Sequence, residues 1–353
     1  MVILVTGGAG FVGSNLALSF KSKYPDFRVI CFDNLKRRGS ELNLVRLRQA
    51  NIEFIHGDLR VKSDLESVGE VDVIIDAAAE PSVLAGINEG LDYLIQTNFI
   101  GTCHLLDFAN KHGATFIFLS TSRVYPIESL SEVNYGVSDS RFEIMKDQNL
   151  AGFTLQGVGE DFPLLGSRSF YGSSKLASEL FVEEYNKISG LKTVVNRCGV
   201  ISGPYQMGKV DQGLMVLWMA KHFWKKELSY IGFGGEGKQV RDVLHIDDLF
   251  ELIDWQLHHI DSINGQTFNV GGGLRNSCSL LELTKLCQEV TGNEISISSV
   301  KDTRAADIPI YITNNAKVNQ QTDWSPKRDL RLLLNDIHQW FLENEAQLKP
   351  ILS

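Results

Sequence analysis

Apolar residues fall in short runs along the first two hundred positions, with longer amphipathic stretches between them. The runs Val2–Val5, Val29–Phe32, Ile52–His56, Val71–Asp76, Thr115–Ser120 and Thr193–Asn196 are short and rich in Val, Ile and Phe. Runs of that length and composition predict strands buried on both faces. Helical spacing is read between them, around Leu16–Tyr24, Leu42–Gln49, Leu91–His112 and Ser174–Ser189. This βαβα alternation predicts an α/β fold, a doubly wound parallel sheet with helices on both faces.

The rhythm breaks twice. Pro126 to Arg168 is long, polar and glycine-bearing, and reads as an insertion bordering a ligand site. After about Gly203 the pattern turns irregular: Trp218, Phe223 and Trp224 on a helix, then GFGGEGKQVRD, a strand-like Thr267–Val270, and a helix Leu280–Thr291 opening after Ser279. That composition predicts a smaller mixed α/β lobe closing over the first domain. The expected division assigns 1–200, with a returning segment at about 240–270, to the first domain. About 201–239 and 271–353 form the second.

The turn after the first strand reads GGAGFVG, from Gly7 to Gly13, and leads into helical spacing from Ser14 to Phe20. A strand feeding a glycine-rich turn and a helix N-terminus suits a dinucleotide pyrophosphate, and this is the Rossmann-type arrangement. Gly8 is expected to make the tight turn, Gly10 to admit the phosphates, and Gly13 to let the helix pack close. Gly7, Phe11 and Val12 complete the candidate cradle. Asp33 ends the next strand 20 positions after Gly13, where a carboxylate accepts hydrogen bonds from ribose hydroxyls. With Asn34 it completes this end of the expected site. Lys36-Arg37-Arg38 follows and would attract a 2′-phosphate, but Asp33 occupies the ribose position itself, so the expected cofactor is NAD rather than NADP.

Tyr171 and Lys175 are four apart at the start of a predicted helix, so phenol and ammonium share a face. A free tyrosine titrates near ~10, and a nearby cation or oxidised nicotinamide favours the phenolate that a base requires. A hydroxyl from Ser120, Thr121 or Ser122, at the end of a central strand, could hold the oxygen that Tyr171 deprotonates.

Bulk properties narrow the partners. A formal net charge of −9 argues against nucleic acid or an anionic membrane, and leaves room for a small anionic ligand held by local arginines. Five cysteines without a CxxC pair read as reduced thiols, in keeping with a cytoplasmic protein. The eight histidines show no metal-ligand spacing, and no apolar run is long enough to span a bilayer.

The chain resembles the extended short-chain dehydrogenases/reductases, in their nucleotide-sugar epimerase and dehydratase branch. The resemblance covers essentially the whole chain and rests on GGAGFVG, Asp58-Leu59, Ala77-Ala78-Ala79, Asn98, a Ser/Thr-xxx-Tyr strand end, and YGSSK. It implies that Thr121, four before Tyr125, is the catalytic hydroxyl beside Tyr171 and Lys175. It further implies that Asp58 and Leu59 hold the adenine, that Ala77, Ala78, Ala79 and Asn98 border the cofactor, and that Arg241 and Arg304 clamp a diphosphate. Ser122, Arg123, Val200, Gln206, Met207 and Lys209 are candidates for the sugar end.

Two departures bear on the reaction. Ser122-Arg123 stands where the 4,6-dehydratases carry Asp-Glu, so no elimination machinery is evident. Val200 stands where 4-epimerases usually carry Asn. The stretches DNLKRRGSELNL, AAEPSVLAG, STSRVYP, NRCGVISGPYQMGKVDQG and IGFGGEGKQVRD are similar to those of enzymes inverting carbon 2 of CDP-sugars. The resemblance thus favours a CDP-sugar as substrate. The alternatives are a UDP-glucose 4-epimerase-type enzyme, an NADP-dependent sugar reductase and a non-catalytic NAD-binding scaffold. It also implies a homodimer or homotetramer pairing through helices such as Leu91–His112 and Ser174–Ser189.

Overall fold

The computed structural model describes residues 1–86, 90–208, 212–304 and 307–353. Its principal strands are β1 (Val2–Thr6), β2 (Arg28–Asp33), β3 (Glu53–His56), β4 (Val73–Asp76), β5 (Thr115–Thr121), β6 (Thr193–Cys198), β7 (Val200–Ser202), β8 (Val240–His245), β9 (Gln266–Val270), β10 (Ser277–Ser279) and β11 (Ile310–Tyr311). Its principal helices are α1 (Phe11–Lys23), α2 (Asn43–Gln49), α3 (Gly101–His112), α4 (Phe170–Ser189), α5 (Leu214–Phe223), α6 (Ile246–His258), α7 (Leu280–Thr291) and α8 (Leu330–Leu352).

Seven strands form one sheet in the order β9-β6-β5-β4-β1-β2-β3, with every pairing parallel. The apolar runs are continuous because both faces are covered. Ile3 and Val5 pack with Leu16 and Phe20 of α1 and Leu249 and Leu252 of α6. Leu4, between them, packs on the other face with Leu105 and Leu106 of α3 and Val182 of α4. The order reverses at β1, opening a crevice beyond the carboxyl ends of the strands.

The second lobe is mixed, as expected. β8 pairs parallel with β7 and β11, and antiparallel with β10. Met215, Trp218 and Met219 of α5 pack with Leu283 of α7 and Leu334, Ile337 and Phe341 of α8. Ser279 caps α7: its hydroxyl accepts from Glu282 N at 3.0 Å, while the Glu282 carboxylate accepts from Ser279 N at 3.0 Å.

Two features differ from expectation, and a third adds detail to it. Residues 240–245 build the second sheet, so the return to the large sheet begins with α6 and β9; the apolar pattern of a buried strand is the same in either sheet. Leu91–His112 is not one regular helix. Asp92–Ile95 winds normally, Gln96–Ile100 forms a wider π-type turn, and α3 follows. Gly101 lies against Leu59, where an added Cβ would sit 3.0 Å from that side chain. The insertion after Pro126 is structured, with a short helix at Ile127–Ser131 and two hairpins. Its Leu130, Phe153, Val158 and Phe162 pack with Tyr125, Ile308 and Tyr311.

Candidate functional site

A cavity of about 650 Å³ lies at the carboxyl ends of β1, β2, β4, β5 and β6. Its walls include Gly7, Gly10, Phe11, Val12, Gly13, Asp33, Asn34, Asp58, Leu59 and Ala77–Ala79, and at its other end Thr121, Ser122, Arg123, Tyr171, Val200, Gln206 and Met207. The tight turn is made by Gly7, with φ +61°, rather than by Gly8. A Cβ on Gly13 would lie 2.2 Å from the Gly7 carbonyl oxygen, so only glycine lets α1 start this close to β1. The resulting cradle carries no side chain in the way of a pyrophosphate, and the residues present fit a dinucleotide.

Asp33 accepts hydrogen bonds from Ala9 N at 3.1 Å and Leu35 N at 2.7 Å, which fixes its carboxylate at the cleft wall. Burial pushes its pKa up, and those backbone donors hold it back. Asn34 donates to Asp58 at 3.0 Å. The Arg60 guanidinium, 2.7 Å from Asp58, holds that carboxyl down at about 2. Asn98 is not a wall residue. Buried in the π-type turn, it accepts from Glu80 N at 2.7 Å, and donates to Glu80 O at 3.1 Å and Ser174 Oγ at 3.1 Å. It thus ties the loop after β4 to the first turns of α4.

Tyr171, Lys175 and Glu179 lie four apart along α4 and point to the sheet. The three candidate hydroxyls separate cleanly. Ser120 donates into the buried Glu179 carboxylate, Thr121 hydrogen-bonds Tyr171, and Ser122 lines the cleft. Arg123 N donates to Thr121 Oγ1 at 3.2 Å, which orients that hydroxyl. Burial pushes the Tyr171 phenol up to about 12, against the Thr121 hydrogen bond and the Arg123 charge, which both lower it. Lys175 is 1% exposed, and its Nζ sits 3.9 Å from the centre of the Phe118 ring. Burial lowers its pKa, while Asp76 and Glu179 favour its charged form.

Arg241 lies one pocket further in, with Ser122, Arg123, Ser169, Val200 and Tyr311. It contacts Asp307 at 2.6 Å and donates to Ile308 O at 2.7 Å. Burial lowers its pKa to about 10. Arg304 is exposed and lines neither cavity, so the expected pair of arginines is not brought together. Lys209 lies outside the described residues.

Several residues that build the site escaped sequence reasoning. Arg197 of β6 holds Glu179 at 2.8 Å and donates to the Tyr125 hydroxyl at 3.2 Å, pinning α4 to the sheet one turn beyond Lys175. The continuing four-residue spacing, Tyr171-Lys175-Glu179, was the available signal. Asp307 was visible only as a neighbour of Arg304. Among the described residues, no group of three or more His, Cys, Asp or Glu could hold a metal, and no helix is long and apolar enough to cross a membrane. The five cysteines are free.

Residues 3–271 match the family described as NAD dependent epimerase/dehydratase. The chain is 33% identical over 349 residues to a CDP-paratose 2-epimerase from Salmonella typhi, covering 96% of this chain and 99% of that one. It is 28% identical to a UDP-glucose 4-epimerase from Erwinia amylovora, covering 98% of each. Among solved structures, a dTDP-glucose 4,6-dehydratase from Bacillus anthracis in complex with NAD superposes with a TM-score of 0.76 at 28% identity, covering 99% of each chain. With its glycine cradle, its Asp33 and its Thr121–Tyr171–Lys175 constellation, the chain belongs to the NAD dependent epimerase/dehydratase family, and NAD is its cofactor.

Proposed function

We propose that the chain is a nucleotide-sugar 2-epimerase interconverting CDP-paratose and CDP-tyvelose through a 2-keto sugar. The observation that carries this reading is the strand end Thr121-Ser122-Arg123: it sets a hydroxyl on Tyr171 and offers a guanidinium where elimination needs an acid pair. The similarity to the Salmonella CDP-paratose 2-epimerase supports the choice of carbon and base. The Erwinia relative supports a second reading, epimerisation at carbon 4 of a UDP-sugar.

In the proposed cycle Thr121 holds the sugar oxygen and Tyr171 takes its hydroxyl proton. NAD, held in the glycine cradle, would supply both the hydride acceptor and the donor, so the cycle would carry no net redox change. Once the sugar has presented its other face, Tyr171 gives the proton back to the oxygen. Lys175 holds the cofactor ribose and favours the phenolate. Arg241 grips the diphosphate, with Arg123 and Gln206 toward the sugar.

The test is an NMR time course with CDP-paratose and no added cofactor, read at carbon 2. A paratose/tyvelose mixture supports the proposal. No conversion, with NAD added as well, rejects the substrate, and UDP- and dTDP-sugars are then assayed. Arg241→Lys keeps a charge opposite Asp307 but loses the planar fork, so KM for the nucleotide sugar is expected to rise about tenfold with a smaller change in kcat. Initial-rate kinetics check this; an unchanged KM removes Arg241 from the binding site.

A further inference from the structure

The basic trio Lys36-Arg37-Arg38 has no part in the cycle above. Its central member reaches across the cleft. The Arg37 guanidinium donates to Met207 O at 2.7 Å and to Gln212 Oε1, both in the second-lobe stretch between β7 and α5. The surroundings make this crossing a built contact. The Met207 side chain fills the space beside Gly39, where a Cβ would meet Met207 Cγ at 2.7 Å. Gly39 has φ +94°, a conformation that already favours glycine. Two contacts run alongside: the Arg46 guanidinium sits 3.3 Å from the centre of the Tyr205 ring, and Asn15 donates to Pro204 O at 3.2 Å.

Both sides of this crossing line the same cavity as Gly10 and Asp33: Lys36, Arg37 and Arg38 from the first lobe, Tyr205, Met207 and Gln212 from the second. A ligand filling that cavity therefore lies against the crossing. The Arg37 charge is directed at a carbonyl and an amide oxygen of the other lobe, while the ribose position keeps the Asp33 carboxylate. A site for a 2′-phosphate would direct that charge the other way.

We propose that Arg37 is an inter-lobe clasp that sets how long NAD stays bound, and that it does not read a 2′-phosphate. A cycle that returns its own hydride needs one cofactor held over many turnovers, so slow release serves it directly. The proposal rests on the cleft holding NAD and not on which sugar is turned over, so the two readings fail separately.

The experiment loads the full-length protein with isotopically labelled NAD, chases with excess unlabelled NAD, and follows the bound label in wild type, Arg37→Gln, Gln212→Leu and the double variant. Losing a hydrogen bond from a charged donor is expected to speed release by at least about tenfold in Arg37→Gln. Gln212→Leu also accelerates release, and adds little once Arg37 is gone. Titration with NAD and NADP gives the same preference for NAD in wild type and Arg37→Gln. An unchanged release rate in either single variant overturns the clasp. So do additive effects in the double variant, or a selective loss of NADP binding in Arg37→Gln.

Discussion

Tyr171→Phe is expected to lower turnover by about 10³ to 10⁴-fold while leaving NAD bound, because it removes only the oxygen that moves the substrate proton. The ring remains in the first turn of α4, and Ser169 still caps that helix by accepting from Gly172 N at 3.1 Å. Single-turnover kinetics measure the loss, and cofactor absorbance after gel filtration measures retention. The pH dependence gives a second reading. Burial holds the phenol at about 12, so at neutral pH the proton-bound form predominates and the reactive phenolate is the minority. For wild type, log(kcat/KM) therefore rises with pH at a slope near one, and levels off once the phenolate predominates. The acidic limb should end below the value for the chain alone, since the positive nicotinamide favours the phenolate. The residual rate of Tyr171→Phe should lack this limb. Full activity in the variant would remove Tyr171 from the mechanism.

Arg197→Met should have the largest effect on stability. Arg197 and Glu179 are both buried, at 7% and 6% exposure, and the Arg197 Nε and Nη2 atoms donate to the carboxylate at 2.8 to 3.2 Å. Removing the cation leaves the buried Glu179 carboxylate without its ion-pair partner, which costs about 3 to 5 kcal/mol. Replacing Glu179 with leucine as well should recover part of the loss, because the pair then leaves no unpartnered carboxylate buried. Denaturant midpoints for the single and double variants check this, and a single variant as stable as wild type refutes it. Activity should fall with the single variant too, since Glu179 anchors the helix face that presents Tyr171 and Lys175.

The central sheet was legible because β1, β2, β4, β5 and β6 are largely buried on both faces, and a short continuous apolar run between amphipathic stretches fits little besides a covered strand; β3, at the sheet edge, is only half-buried. The glycine turn was legible because Gly13 answers to backbone geometry, which shows at fixed spacing, although the tight turn expected at Gly8 falls to Gly7; Asp33 stood out as a carboxylate at a strand end. Tyr171 and Lys175 stood out by their four-residue spacing. Other features left no such mark. Asn98 was assigned to the cofactor border, but its amide serves Glu80 and Ser174, and nothing in a single sequence tells a wall from a bracket. Glu179 and Arg197 look like ordinary charges until the fold buries them against each other. Arg241 and Arg304 read as a pair because the family resemblance implies that both clamp a diphosphate. Only the fold separates them, seating Arg241 on Asp307 and leaving Arg304 in solvent.

The wider turn at Gln96–Ile100 restricts how this chain can change length. A regular α-helix advances about 100° per residue, so removing one residue from that turn would restore ordinary winding and swing one flank about a quarter turn against the other. Either Asn98 would lose Glu80 and Ser174, or α3 would turn its Leu105 and Leu106 away from the sheet. The added residue is thus a phase-setter. Descendants of this chain can accept insertions and deletions in the exposed loops far more readily than a single deletion here, although every residue involved is one that ordinary helices accommodate.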